Sequence, residues 1–446
     1  MKWRAYPKYR DSSVEWLGEI PIDWNVLPLK YVCRESALYG ANVPASEYVD
    51  QGVRFIRTTD IDDFGQLGKN DAVYLAPSLV AEYMLEDGEL LLSRSGTIGR
   101  SFVYDEEKHG DCAYAGYLVG FKPRSILSPR FAFYFTKAKQ FEEWLSLSVI
   151  SSTIGNVNAQ KYANMPLPIP PPPEQRAIAV FLDRETERID ALIAKKERQI
   201  ELLQEKRAAL INYAVTKGLD ANAPMKDSGI EWLGEIPERW PVAHLKSVLE
   251  RNDGGVWGED SDNTGTLVLR STEIALDGSW HIEQPARRFL SAREKEGARL
   301  REGDLLVTKS SGSAVHLGKT AVVTEEVAAM GCCYSNFIQR LRANAAAYPR
   351  YLFWIINAPP GREQLAFLGS TTTGLKNLSA QIIGAIQVPT PPIREQRAIA
   401  DFLDLETARI DALEKKVKQS IEMLREYRTT LVSAAVTGKI DVREEQ

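Results

Sequence analysis

Cations, hydroxyl residues and asparagines sit at the ends of short apolar runs in this 446-residue chain, twice over and in the same order. "FIRTTDI" (55–61) is matched by "VLRSTEI" (268–274), which aligns Arg57 with Arg270 and Thr58 with Ser271. "GELLLSRSG" is matched by "GDLLVTKSSG", aligning Arg94 with Lys309 and Ser95 with Ser310. "GRS" faces "GKT", aligning Arg100 with Lys319, and "STIGNVN" faces "TTTGLKN", aligning Asn158 with Asn377, which follows Lys376. Such groups at strand-to-loop junctions are the ones that contact phosphates and base edges. Ser-Gly and Asn-Gly neighbours are also ordinary turn chemistry. These residues are therefore candidates for direct ligand contact, carried on strands that must themselves be core.

Catalytic chemistry finds no such support. "SGSAVHLGKT" (311–320) has the ending of a phosphate-binding loop, but five residues separate Gly312 from Gly318, where four are needed for the backbone amides to wrap a phosphate; the other copy, "SGTIGRS", has two. No GxGxxG follows a strand, so no dinucleotide site is indicated. "NAPPGR" departs from the Asn-Pro-Pro-aromatic motif of amino-methyl transfer, since Ala358 interrupts it and Gly361 replaces the aromatic. The four histidines are scattered, and Cys33, Cys112, Cys332 and Cys333 have neither metal-ligand nor disulfide spacing. The expectation is a binding protein with no catalytic residue, no metal and no cofactor in this chain, its cysteines buried thiols of a reducing compartment.

The elements that position these groups are themselves duplicated. "DSSVEWLGEIPIDWNVLPLK" (11–30) recurs as "DSGIEWLGEIPERWPVAHLK" (227–246). The segments 174–220 and 395–441, both opening "EQRAIA", align without a gap at an offset of 221 positions (395 against 174). A repeat of this length defines the whole architecture. Between entry and helix, residues 31–165 and 247–388 mix short β-like runs with helical stretches and end in the proline clusters "PLPIPPPP" and "VPTPPI", suited to leading into a helix. The expected fold is α/β or α+β: two pseudo-symmetric globules separated by a pair of long antiparallel coiled-coil helices. The segments are 1–170, a first globule with its entry; 171–218, the first long helix; 219–390, a second globule with its entry; and 391–441, the second long helix. Steps of four and three place Ile178, Leu182, Ile189, Leu192, Leu203 and Leu210 on one seam, and Ile399, Leu403, Ile410, Leu413, Val417, Leu424 and Leu431 on the other. Each seam is expected to pack on its counterpart within the chain, holding the globules at a fixed separation.

Composition narrows the partners. A net charge of −5 and a pI near 5.7 exclude a protein basic over its whole surface, so any nucleic acid must meet local patches. No apolar run approaches a membrane span, and "MKWRAYPKYR" lacks the apolar core of a signal peptide, so a cytoplasmic protein without membrane contact is expected.

Taken together, the "DSGxEWLGEIPxxW" entries and the "IPxPPxxEQRAIAxFLDxETxRIDAL" helices resemble the specificity subunits of type I DNA restriction-modification enzymes over essentially the whole chain. The departures are small: "TKGLD" reverses the usual Gly-Lys order in the first copy, and Ser313–Leu317 lengthens a loop in the second. The resemblance implies a non-catalytic subunit whose globules are target recognition domains, each reading half of a bipartite, asymmetric site on double-stranded DNA. The helix pair would set the unread spacer, with half-site centres about 10 bp apart. It also implies two DNA-methyltransferase (modification) subunits, one docked on each half, and restriction/translocase subunits, with S-adenosylmethionine and ATP held by those partners. The alternative reading is a coiled-coil adaptor with two protein-binding globules and no DNA role.

Overall fold

The computed structural model describes residues 3–68, 71–148, 155–261, 264–313, 315–369 and 377–444. The chain divides into two compact units, Met1–Glu197 with Lys418–Gln446, and Arg198–Val417. Each unit owns one globule and about half of each long helix, Pro172–Lys217 and Ile393–Val436.

In the N-terminal unit, a four-stranded antiparallel sheet runs in the order Cys33–Tyr39, Leu118–Pro123, Leu90–Ser93, Ser101–Val103. A second sheet places Val53–Ile56 between Val73–Leu75, antiparallel, and Cys112–Tyr114, parallel. The C-terminal unit repeats this: Leu249–Gly254, Ile338–Ala343, Leu305–Thr308 and Thr320–Val322 form the first sheet. Thr266–Leu269 lies between Ala286–Phe289 and Cys333–Tyr334 in the second, which gains an edge strand at Glu259–Asp260. Strands such as "LLLS" and "LLVT" are buried throughout because both faces are covered, which is why they read as continuous apolar runs. The four cysteines are free and buried.

The long helices run antiparallel in both units. In the N-terminal unit Arg428 forks onto Asp190 (2.9 and 3.2 Å) and Arg425 reaches Glu197 (3.1 Å); in the C-terminal unit Arg207 faces Asp411 (3.4 Å) and Gln204 faces Glu414 (3.4 Å). Ile178, Leu182, Ile189, Ile399, Leu403, Ile410, Val417 and Leu431 are buried and Leu203, Leu210 and Leu424 half-buried. The expected seam fails at Leu192 and Leu413, which are exposed, while Ile193 is buried one position later. Thr186 and Thr407 are likewise buried, whereas Glu185 and Glu406, which the same steps of four and three place on the seam, are only half-buried. Close to a globule the helix is packed by the globule as well as by its partner helix. Its burial therefore follows a broader stripe of period 3.6 instead of a two-helix heptad seam.

The duplicated entry phrase acts at the helix ends. In the N-terminal unit, Trp24 Nε1 donates to Glu174 (3.0 Å) at the start of the first helix, and Tyr6 donates to the same carboxylate. The entry also receives the end of the second helix: Tyr9 donates to Gly438 O (3.0 Å) and Lys439 Nζ to Glu19 O (2.6 Å). In the C-terminal unit Arg239 holds Glu395 (2.8 Å), and Lys217 Nζ donates to Glu235 O (2.6 Å). Gly218 and Gly438 stop the helices with φ of +77° and +70°, and a Cβ there would strike Trp240 or Pro21. Each entry thus clamps one helix start and one helix stop, so two copies are needed.

Candidate nucleic-acid interface

The polar junctions flagged in the sequence converge in the N-terminal globule. Arg94 leaves strand Leu90–Ser93 with its backbone fixed on two sides: its N–H donates to Tyr117 O (2.9 Å) and its carbonyl accepts from Val157 N (3.0 Å). The second bond draws the "STIGNVN" loop onto the "SRSG" turn. In the C-terminal unit Lys309 N donates to Phe337 O (3.0 Å) and Lys309 O accepts from Leu378 N (2.7 Å), so the crossing recurs.

Around Arg94 lies a concavity of about 890 Å³ whose lining includes Tyr39, Asn42, Thr58, Arg94, Tyr117 and Asn156. It adjoins one of about 540 Å³ that shares Asn42, Thr58, Thr59 and Tyr117 and extends past Arg57. Three polar atoms in this groove, Thr58 Oγ1, Arg94 Nε and Asn156 Oδ1, are buried yet have no hydrogen-bond partner among the described residues. Buried polar atoms without partners are costly, and several in one concavity mark a surface completed by something else. Tyr117, 65 % exposed, offers a ring at its rim.

Other candidates are committed elsewhere. Arg57 forks onto Asp60 (3.1 and 2.7 Å) and donates to Asp71 O (2.8 Å), and the bond to Asp60 raises its pKa. Arg270 repeats the arrangement with Glu273 (3.0 and 2.6 Å) and Gln284 O (2.9 Å). Both arginines staple a tight turn to the loop beyond it. Arg100 is held by Asp63 (3.1 and 2.9 Å).

Lys319 is a correction: it is 5 % exposed, its Nζ donates to Ile274 O (2.6 Å), and burial lowers its pKa, so it has no surface to offer DNA. Asn158 is exposed, and its side chain caps helix Ala159–Ala163 by accepting from Lys161 N (2.9 Å), the role Ser379 plays for Ala380–Ala385. The partner of Asn377 is therefore Asn156, at the same offset of 221 as the helices (377 against 156). Asn377 bridges to Ser310, which together with Lys309 and Ser271 is partly exposed; Lys376 lies outside the described residues. Sequence reasoning missed Tyr39, Asn42, Thr59, Tyr117 and Asn156. Asn156 could have been found by carrying the helix offset backward through the repeat; the other four come from different strands and loops and needed the fold.

This architecture, duplicated α+β globules on an antiparallel helix pair with a polar groove and no metal-binding cluster among the described residues, is that of a target-reading subunit. The chain belongs to the family of the type I restriction modification DNA specificity domain, which matches residues 21–202 and 291–423. It is similar to the type I restriction enzyme EcoKI specificity subunit of Escherichia coli, with 23 % identity covering 95 % of this chain and 90 % of that protein. It is likewise similar to the MjaVIII specificity subunit of Methanocaldococcus jannaschii, with 23 % identity, 90 % and 86 % covered. Among solved structures, a chain from a study of complex assembly and conformational transition of the type I R-M system superposes with a TM-score of 0.72 at 14 % identity, covering 94 % of this chain and 98 % of that one. The HsdS subunit of Thermoanaerobacter tengcongensis gives 0.55 at 16 %, again covering 94 % and 98 %. No helix among the described residues is long and apolar enough to cross a membrane.

Proposed function

We propose that this chain is the non-catalytic DNA-reading subunit of a type I restriction-modification complex, each globule recognising one half of a split site. The observation that carries the reading is the groove of the N-terminal globule, with its unpartnered Thr58, Arg94 and Asn156 atoms and its aromatic rim. It offers donors, acceptors and planar surfaces where a base edge or backbone would supply the missing partners. In the C-terminal globule Ser271, Lys309, Ser310 and Asn377 are the matching candidates; Arg57 and Arg270 are assigned to holding the loops, with their outer edges near phosphate.

Methyl transfer and cleavage are assigned to separate modification and restriction subunits, which would carry S-adenosylmethionine and ATP. Docking of one modification subunit per half is supported by apolar side chains exposed at equivalent positions of the two helices, Leu192 with Leu413 and Leu202 with Met423. The test is to express this chain with its modification subunit in a host without DNA methylation and map N6-methyladenine across the genome. The expected result is a single motif of two specified blocks around a fixed unread gap. A stable complex that methylates nothing would favour the adaptor reading, and an unsplit motif would remove one globule from recognition.

A further inference from the structure

We infer that Arg94 reads a guanine in the half-site of the N-terminal globule, and that Tyr39 is the positioning residue that makes this possible. The inference rests on the proposed DNA-reading function and deepens it.

The arginine is unusually constrained for a side chain with no ion pair among the described residues. Its guanidinium carbon lies 4.9 Å from the centroid of the Tyr39 ring. Tyr39 is held in turn: it ends strand Cys33–Tyr39, paired to Val119, and its hydroxyl accepts from Ala159 N (3.3 Å) in the first turn of the Asn158-capped helix. The backbone of Arg94 is fixed by Tyr117 and Val157, so stem and head are both located. A guanidinium resting on an aromatic face keeps its donor edge free, and that planar fork matches the O6 and N7 acceptors of guanine. Neighbouring arginines do not compete, because Arg57 and Arg100 are already bound by Asp60 and Asp63.

The C-terminal globule lacks this device at the same place. Lys309 stands where Arg94 stands, and Gly254 ends the strand that Tyr39 ends in the first copy. Lys309 Nζ lies 2.8 Å from where a Cβ on Gly254 would be, so the ammonium lies over bare backbone with no ring beneath it. A flexible point charge there suits a phosphate, which carries no sequence information.

The experiment is methylation mapping of the full complex carrying Arg94→Lys, Arg94→Ala, Tyr39→Leu, Tyr39→Phe or Lys309→Ala. The unsubstituted complex should show a G·C pair in one block that both Arg94 variants relax by about 10–100-fold in discrimination, leaving the other block unchanged. Tyr39→Leu should relax that same position, and Tyr39→Phe, which keeps the ring, should restore most of the selectivity. Lys309→Ala should slow methylation of all sites alike and alter no base preference. The unchanged second block reports that the variants fold. A split motif that the Arg94 variants leave intact, or relax at a non-guanine position, overturns this assignment while sparing the proposed function; absence of any split motif from the unsubstituted complex overturns both.

Discussion

At the scale of single residues, the two copies differ most where burial meets charge. In the C-terminal globule Asp304 is buried and bound by Arg342 (2.7 and 2.8 Å). The N-terminal copy has Glu89 and Lys122 at these places, but Lys122 turns to Glu86 (2.8 Å) and Glu35 (3.3 Å), leaving Glu89 Oε1 without a partner among the described residues. Burial pushes the Glu89 carboxyl up to about 7 from an ordinary 4.5. The folded unit therefore keeps a proton that the unfolded chain has lost between these values, so stability falls as pH rises from 4.5 to about 7 and stays reduced above it. The loss amounts to roughly 3 kcal/mol at most. Glu89→Gln should flatten the pH dependence of hydrogen exchange in this unit and protect it at pH 8; an unchanged slope would mean the carboxyl is ionised in the fold. A second contrast involves the entry tryptophans, both buried, since Trp24 Nε1 has Glu174 while Trp240 Nε1 has no partner among the described residues. Phenylalanine at either position opens a similar cavity, so the difference isolates the hydrogen bond. Trp24→Phe should cost about 1–3 kcal/mol more than Trp240→Phe, measured by amide exchange within each unit. Equal costs would refute the clamp role of Glu174. The sequence aligned the two tryptophans correctly, but gave no sign that their indole nitrogens differ, because the partners come from residues far along the chain.

Among elements, the joint between globule and long helix is built alike in both copies. Gln175 Oε1 accepts from Ser128 N (2.7 Å) and its Nε2 donates to Ile126 O and Pro170 O (both 2.8 Å). Gln396 does the same with Tyr348 N (2.8 Å), Ala346 O (3.0 Å) and Pro391 O (2.8 Å). About two turns further, Asp183 receives Arg130 and Tyr134 (2.7 and 2.6 Å), and Asp404 receives Arg350 and Trp354 (both 2.9 Å). Each glutamine side chain, set in the first turn of its helix, thus satisfies two backbone groups of a globule loop and one carbonyl of the lead-in to the helix, tying the helix start to its globule. Gln175→Ala or Gln396→Ala should destabilise its own unit by about 1–3 kcal/mol and leave exchange in the other unit unchanged; a cost spread over both units would refute local anchoring. Both helices, their direction and their ends were legible in the sequence, since length, proline entry and glycine stop are local signals. The seam was legible only in part: Leu192 and Leu413 fit a heptad, yet the third face contributed by each globule moves burial to Ile193 and Thr186. The loop crossing that sets Asn156 beside Arg94 was written in the repeat, but the tilt of two positions between "STIGNVN" and "TTTGLKN" hid it.

For the molecule as a whole, a repeat constrains the surface as well as the core. A buried position can recur because both copies need the same packing, but an exposed apolar position recurs at a cost to solubility unless a partner covers it. Leu192 and Leu413 are 43 % and 49 % exposed, and Leu202 and Met423 49 % and 62 %. The division of the chain gives each unit one member of each pair, Leu192 and Met423 to the first, Leu202 and Leu413 to the second. On the proposed function this is the signature of one modification subunit meeting each half through the same contacts, so that a chain of net charge −5 takes part in DNA recognition as a complex. Serine at these exposed helix positions should change stability by no more than about 0.5 kcal/mol per site. Leu192→Ser with Met423→Ser should therefore leave a folded chain that retains a single modification subunit, as should Leu202→Ser with Leu413→Ser, read by native mass spectrometry of the purified complex. All four together should release both. Two subunits still bound after the fourfold change would show that docking uses another face and that the repeated apolar residues serve the chain itself.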